Sequence, residues 1–222
     1  MFRRVLSGVL LVLVTASAAF AQAPKVEFTG IVGWSLADGV SGDPVTAGNG
    51  KVYNRVDPKD SATFGFSAGF YLSPSMEVGF LWRRQLTSLE ISGSTVTDLS
   101  DITIDGYHGY GTYYVGNSES RIRPYVQGGI GLTHYGSIKF TGASGQARSA
   151  DGNSQLSTTW GAGVKMYASR NVGLRVGAQW TPTYIKSDAT GWWCDPYWGC
   201  FVTSNAQYSS QFEFTGGLSF RF

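Results

Sequence analysis

Two cysteines, two histidines and a cluster of tryptophans are the side chains in this chain best suited to chemistry beyond packing. Cys194 and Cys200 are the only cysteines, and they lie in Gly191-Trp192-Trp193-Cys194-Asp195-Pro196-Tyr197-Trp198-Gly199-Cys200-Phe201. Two thiols with no histidine nearby make a poor zinc site, and no C-x-x-C-H haem signature is present, so no metal or cofactor is expected. In an oxidising compartment such a pair forms a disulfide by default. The bridge would close a small knob carrying Trp192, Trp193, Tyr197, Trp198 and Phe201. Tryptophan and tyrosine dominate binding hot spots, so the knob could be a rigid contact surface for an extracellular protein or glycan. It could equally be a self-packed loop whose disulfide substitutes for a core.

The histidines are His108, in His108-Gly109-Tyr110, and His134, in His134-Tyr135-Gly136. An imidazole does catalytic work only with a nucleophile or acid within reach, and neither sequence neighbourhood supplies one. Asp38, Asp43, Asp57 and Asp60 could attract a cation, but they lack the D-x-D-x-D-G spacing of a calcium loop. With a formal net charge of +2 and no block of Lys or Arg, the chain gives no reason to expect a nucleic-acid partner.

The elements that must position these residues are strands. Arg3 and Arg4, the apolar run Val5 to Val14 and the small residues ending Ala19-Phe20-Ala21 form a secretory signal peptide, residues 1–21, too short in its apolar core to span a membrane. Cleavage leaves residues 22–222 as one domain, removes both arginines and makes the chain neutral. Residues then alternate apolar at even and polar at odd positions, the period of a strand. The pattern is cleanest in Ala62, Phe64, Phe66, Ala68, Phe70 and Leu72, and recurs from Val26 to Leu36, Met76 to Gln85, Ile102 to Tyr114, Pro124 to Leu132, Leu156 to Met166, Val172 to Trp180 and Tyr208 to Phe222. Short turns at Ser73-Pro74-Ser75, 115–120 and 169–171 alternate with long polar stretches at 38–60, 87–100, 141–154 and 185–206.

An even number of strands with connections sorted by length predicts an all-β, eight-stranded antiparallel up-and-down transmembrane barrel, its long loops outside. Trp34, Trp82, Trp160 and Trp180 fall on the apolar phase near the long-loop ends, as an interfacial girdle requires. Phe28, Phe70, Tyr114 and Phe222 would supply the opposite ring. Even positions then face lipid, His108 and His134 included unless a bulge rephases the strand. Odd positions face the lumen: Glu27, Glu77, Asp105 and Glu213 against Arg83, Lys165 and Arg175. Eight strands leave room only for side chains, so these charges should pair and fill the interior.

The chain ends Thr215-x-Gly217-x-x-Phe220-x-Phe222, which resembles the C-terminal assembly signal of bacterial outer-membrane barrels. With Arg123-Pro124-Tyr125-x-x-Gly128-Gly129-x-Gly131 and the alternating strands, the whole mature chain resembles the small outer-membrane β-barrel family of the OmpA transmembrane domain, OmpX and opacity-type proteins. The resemblance implies a bacterial outer-membrane location, the barrel-assembly machinery as a partner through Gly217, Phe220 and Phe222, and contact with outer-membrane lipid and lipopolysaccharide. It favours a structural or surface-interaction protein, not an enzyme. Lipid A-modifying barrels with a lipid-facing histidine are the enzymatic alternative, and the His-x-Ser pair of the deacylases is absent here. A small-solute channel is the third reading, opposed by the inward charges.

Overall fold

The computed structural model describes residues 25–46, 52–116, 120–141, 147–184, 194–195, 199–200 and 208–222. The proposed signal peptide and the knob residues Trp192, Trp193, Tyr197, Trp198 and Phe201 lie outside these. Eight long strands form the wall: β1 (Val26–Asp38), β2 (Ser61–Ser73), β3 (Met76–Gly93), β4 (Thr97–Tyr114), β5 (Ile122–Tyr135), β6 (Asn153–Tyr167), β7 (Val172–Tyr184) and β8 (Tyr208–Arg221). Each pairs antiparallel with its sequence neighbours, and β8 pairs with β1, so the sheet has no free edge within the barrel. Closure is what a membrane demands, because an open edge would leave backbone groups unpaired in hydrocarbon.

Closure runs from Glu27↔Arg221 to Asp38↔Ser210. The last residue takes part: the Phe222 amide donates to the Val26 carbonyl at 2.9 Å, and its ring meets Phe28 edge-on at 6.2 Å. Gly217 lies where a Cβ would come within 2.5 Å of the Gly30 backbone oxygen, so only glycine lets β8 approach β1 so closely there. The outer wall is apolar and exposed, with Phe28, Val32, Trp34, Phe70, Ile130, Trp160, Trp180 and Phe214 among its residues. A continuous belt of this kind is a lipid-facing surface.

Two features differ from the sequence reading. The stretch 87–100, expected as a loop, is strand: β3 and β4 each run 18 residues and meet at a turn over 94–96, well beyond the length of about 9–11 residues a crossing needs. The hairpin Val40–Thr46/Val52–Pro58 adds to this extension through Val56↔Ile91 and Asp57↔Glu90, making an extracellular apron. Val56, Leu89, Ile102, Ile104, Tyr135 and Ile138 form a buried cluster on its lumen side. Lys59 bridges Asp98 at 2.7 Å and Glu90 at 2.8 Å on its rim. Hydrogen bonds to Asp98 and then Glu90 push the Lys59 pKa up to about 12 and hold the Asp98 carboxyl below its usual range.

The second difference is the phase of β4. The hairpin register pairs Phe80 with Gly109 and Trp82 with Tyr107, so odd positions of β4 share the outer face with even positions of β3. Tyr114, expected in the lower lipid-facing ring, is therefore in the lumen and 1% exposed, while Tyr113 faces out. His108, expected towards lipid, is also inside. Asp105, expected in the lumen, faces outward. The inversion holds through 100–114 without interruption, and the bulge in the pairing lies above it, at Leu89/Glu90.

Candidate functional site

Three places gather polar chemistry. The first is the periplasmic half of the lumen, where inward odd positions and the rephased tyrosines of β4 converge. Lys165 Nζ bridges Glu27 and Glu77, reaching Glu77 at 3.0 Å and Tyr114 Oη at 2.5 Å. Glu27 also accepts from Arg221 Nε at 2.9 Å, Tyr71 at 2.8 Å and Tyr167 at 3.0 Å. Glu77 accepts from Tyr110 and Tyr114. The Arg221 guanidinium stacks on the Tyr167 ring at 3.4 Å. Every oxygen of these two carboxylates thus has a donor, which is the condition for holding a charge away from water.

The remaining expected members of the network divide. Glu213 pairs with Arg83 in the middle of the lumen, both nearly buried. Arg175 meets no carboxylate among the described residues. It donates to Tyr125 Oη at 2.8 Å and Gln127 Oε1 at 2.7 Å and lies over the Tyr125 ring. Sequence reasoning missed Tyr71, Arg123, Tyr125, Tyr167 and Arg221, although all sit on the odd, inward phase. It missed Tyr110 and Tyr114 because β4 runs in the opposite phase. His108 is wholly buried, with Nε2 at 2.9 Å from Ser157 Oγ, and Thr133 donates to the same Ser157 oxygen at 2.9 Å.

The second place is on the outer wall. Four strands align Arg84, Asp105, His134 and Ser154 side by side, through Arg84↔Asp105, Asp105↔His134 and Ser154↔His134. Arg84 holds Asp105 with two bonds, Nε to Oδ1 at 2.7 Å and Nη2 to Oδ2 at 3.0 Å. The two-pronged contact fixes the carboxylate. His134 Nδ1 lies 2.9 Å from Ser154 Oγ. Gly152 leaves the space the imidazole occupies, since a Cβ there would stand 3.2 Å from His134 Nε2. One tier closer to the membrane centre is the aligned set Trp82, Tyr107, Leu132 and Leu156. One tier outward, Leu86, Ser88, Asp101, Thr103, Gly136 and Ser137 line an open recess of about 550 Å³.

The third place is loop 185–207. There Cys194 and Cys200 are direct cross-strand partners, as are Asp195 and Gly199.

The family described as Outer membrane protein beta-barrel domain matches residues 7–222. No curated protein sequence matches the chain. Among solved structures, OprG from Pseudomonas aeruginosa is 13% identical with a TM-score of 0.57, covering 90% of this chain and 97% of its own. Neisserial surface protein A is 13% identical at a TM-score of 0.53, over 89% of this chain and 97% of that one. AlkL, solved in lipid bilayers, is 15% identical at 0.52, over 90% and 92%. At these identities the likeness is one of fold.

Proposed function

Since the chain belongs to the outer-membrane β-barrel family and resides in the bacterial outer membrane, we propose that it is a surface-interaction barrel with a plugged lumen, acting through its extracellular loops. The observation that carries this is the apron. β3, β4 and the 40–58 hairpin continue the wall past the tryptophans and bury an apolar cluster between them. A barrel so built holds its own loops in place, and rigid presentation is what a contact surface needs. The ion-paired floor, where Lys165 meets Glu27 and Glu77, and the Arg83–Glu213 pair support the plugged reading.

The contact element in this reading is the disulfide-closed knob of loop 185–207, with Trp192, Trp193, Tyr197, Trp198 and Phe201 as anchors for an extracellular protein or glycan. Lipopolysaccharide surrounds the wall, and the assembly machinery reads Gly217, Phe220 and Phe222. The test is adhesion of cells expressing the protein to immobilised matrix proteins and to a glycan array, with Cys194→Ser/Cys200→Ser as the variant. Binding should fall in the double variant at equal surface expression, and unchanged binding removes the knob from the mechanism. Planar-bilayer recordings should be silent, and steady unitary conductance would refute the plug.

A further inference from the structure

Arg175 carries a buried charge that the ion-paired floor does not answer. The buried carboxylates Glu27, Glu77 and Glu213 are already taken by Lys165, Arg221 and Arg83. Register sets Arg175 directly opposite Lys165 across β6 and β7, and like charges so placed repel. Arg123 flanks Lys165 on the β5 side and also lacks a carboxylate among the described residues. It lies by the periplasmic turn, however, where it donates to the Pro74 carbonyl. Arg175 is enclosed in the lumen. A guanidinium stays protonated at any physiological pH, and a buried charge left without a partner is costly.

The groups touching Arg175 are rich in donors and short of acceptors. Its Nε donates to Tyr125 Oη at 2.8 Å and its Nη2 to Gln127 Oε1 at 2.7 Å. Gln127 Oε1 also takes the Thr112 hydroxyl at 3.5 Å, so both acceptors are spent. Arg175 Nη1, the Gln127 amide nitrogen and the Tyr125 hydroxyl proton then have no acceptor among the described residues. The phenol is held where it is by two glycines: a Cβ on Gly163 or Gly177 would stand 2.6 or 2.5 Å from Tyr125 Oη. We propose that this cluster binds one small monovalent anion of halide size. Arg175 supplies the counter-charge, and the Tyr125 hydroxyl and Gln127 amide supply further hydrogen bonds. Water satisfies the donors but leaves the charge uncompensated, whereas an anion does both. The enclosure sets the size, since Arg175, Tyr125 and Gln127 are all buried, which suits a monatomic ion over an organic acid. The site goes beyond the surface-interaction reading, because it needs neither the loops nor a partner.

The test is urea unfolding of the full-length barrel in lipid vesicles, with sodium bromide exchanged stepwise for sodium gluconate at constant ionic strength. An anion that binds only the folded state raises the midpoint as its site fills. The midpoint should rise with bromide and saturate. Arg175→Met should abolish the response. Tyr125→Phe keeps the ring and loses one donor, and it should raise the half-saturating bromide concentration several-fold. The heat-dependent gel shift of folded barrels verifies both variants, and where Arg175→Met does not fold, Tyr125→Phe decides the matter. Crystals containing bromide should show an anomalous peak within hydrogen-bond distance of Arg175 Nη1 and Tyr125 Oη. A midpoint indifferent to bromide, a drift that never saturates, or the same response in wild type and Tyr125→Phe overturns the proposal. A peak without a response in solution is an adventitious ion only and overturns it too. Cys194→Ser/Cys200→Ser should keep the full bromide response, so this site and the knob fail separately.

Discussion

Removing Lys165 tests whether charge pairing holds the floor of the lumen. Its ammonium is almost wholly buried and contacts Glu27, Glu77 and Tyr114. Lys165→Met keeps most of the stem and deletes the charge. The two carboxylates then fare differently. Glu27 keeps Arg221 at 2.9 Å and the hydroxyls of Tyr71 and Tyr167. Glu77 keeps only tyrosine hydroxyls, because Lys165 is its ion-pair partner among the described residues. Breaking a buried pair costs about 3–5 kcal/mol, chiefly through the charge left behind. Lys165→Met should therefore cost about that much, and Lys165→Met/Glu77→Gln should recover most of it. Lys165→Met/Glu27→Gln should recover little, since it removes a carboxylate that still has a cation and strands Arg221. Urea unfolding of the barrel in lipid vesicles, followed by tryptophan fluorescence, gives the double-mutant cycle. A loss below about 1 kcal/mol in the single variant, or a Glu77→Gln double no more stable than the single, would falsify this account of the floor.

Two further predictions follow from the register and the apron. In a background lacking Cys194 and Cys200, Gly109→Cys should react with a membrane-dissolved maleimide while Tyr110→Cys stays protected; the reverse pattern would show that β4 keeps the phase of its neighbours. The Lys59–Asp98 bridge contributes stability below the ordinary lysine range of about 10.4, lost as pH rises through the folded value of about 12. Asp98 contributes above the ordinary aspartate value of about 3.9 and loses its contribution as pH falls through a lower folded value. An Asp98 carboxyl carbon that titrates by NMR at or above the ordinary aspartate value would refute the bridge.

Most of the wall was legible because lipid imposes one rule on every strand: one face apolar, the other polar. Where the inner face is also rich in rings and branched chains, that rule loses its grip. β4 presents Ile102, Ile104, Tyr110 and Tyr114 inward and Gly109 and Gly111 outward, so its apolar phase reads the wrong way round. Hairpin register decided the matter, and register depends on the turn at its far end. The same turn explains the misread loop. Thr87 to Ser100 looks polar overall, yet Leu89 and Ile91 sit at strand spacing and reach a buried cluster through Ile102 and Val56. The apron is stabilised by residues distant in sequence, a context that composition does not carry.

The outer-wall row was harder to see for a related reason. A motif search looks along the chain, and neither histidine has a serine beside it in sequence. His134 and Ser154 meet across β5 and β6, and the long connection between these strands leaves their register unspecified by any local rule. The signal that could have found them was phase: both occupy the outward even phase, one step beyond Leu132 and Leu156. Asp105 hid better, because it joins the row only through the inverted phase of β4. A barrel reads across its strands, so chemistry assembled on its wall appears as a horizontal line of single residues from separate strands. Polar residues that share the lipid-facing phase at one height are therefore the pattern to search for, and in this chain that search returns Arg84, Asp105, His134 and Ser154 together.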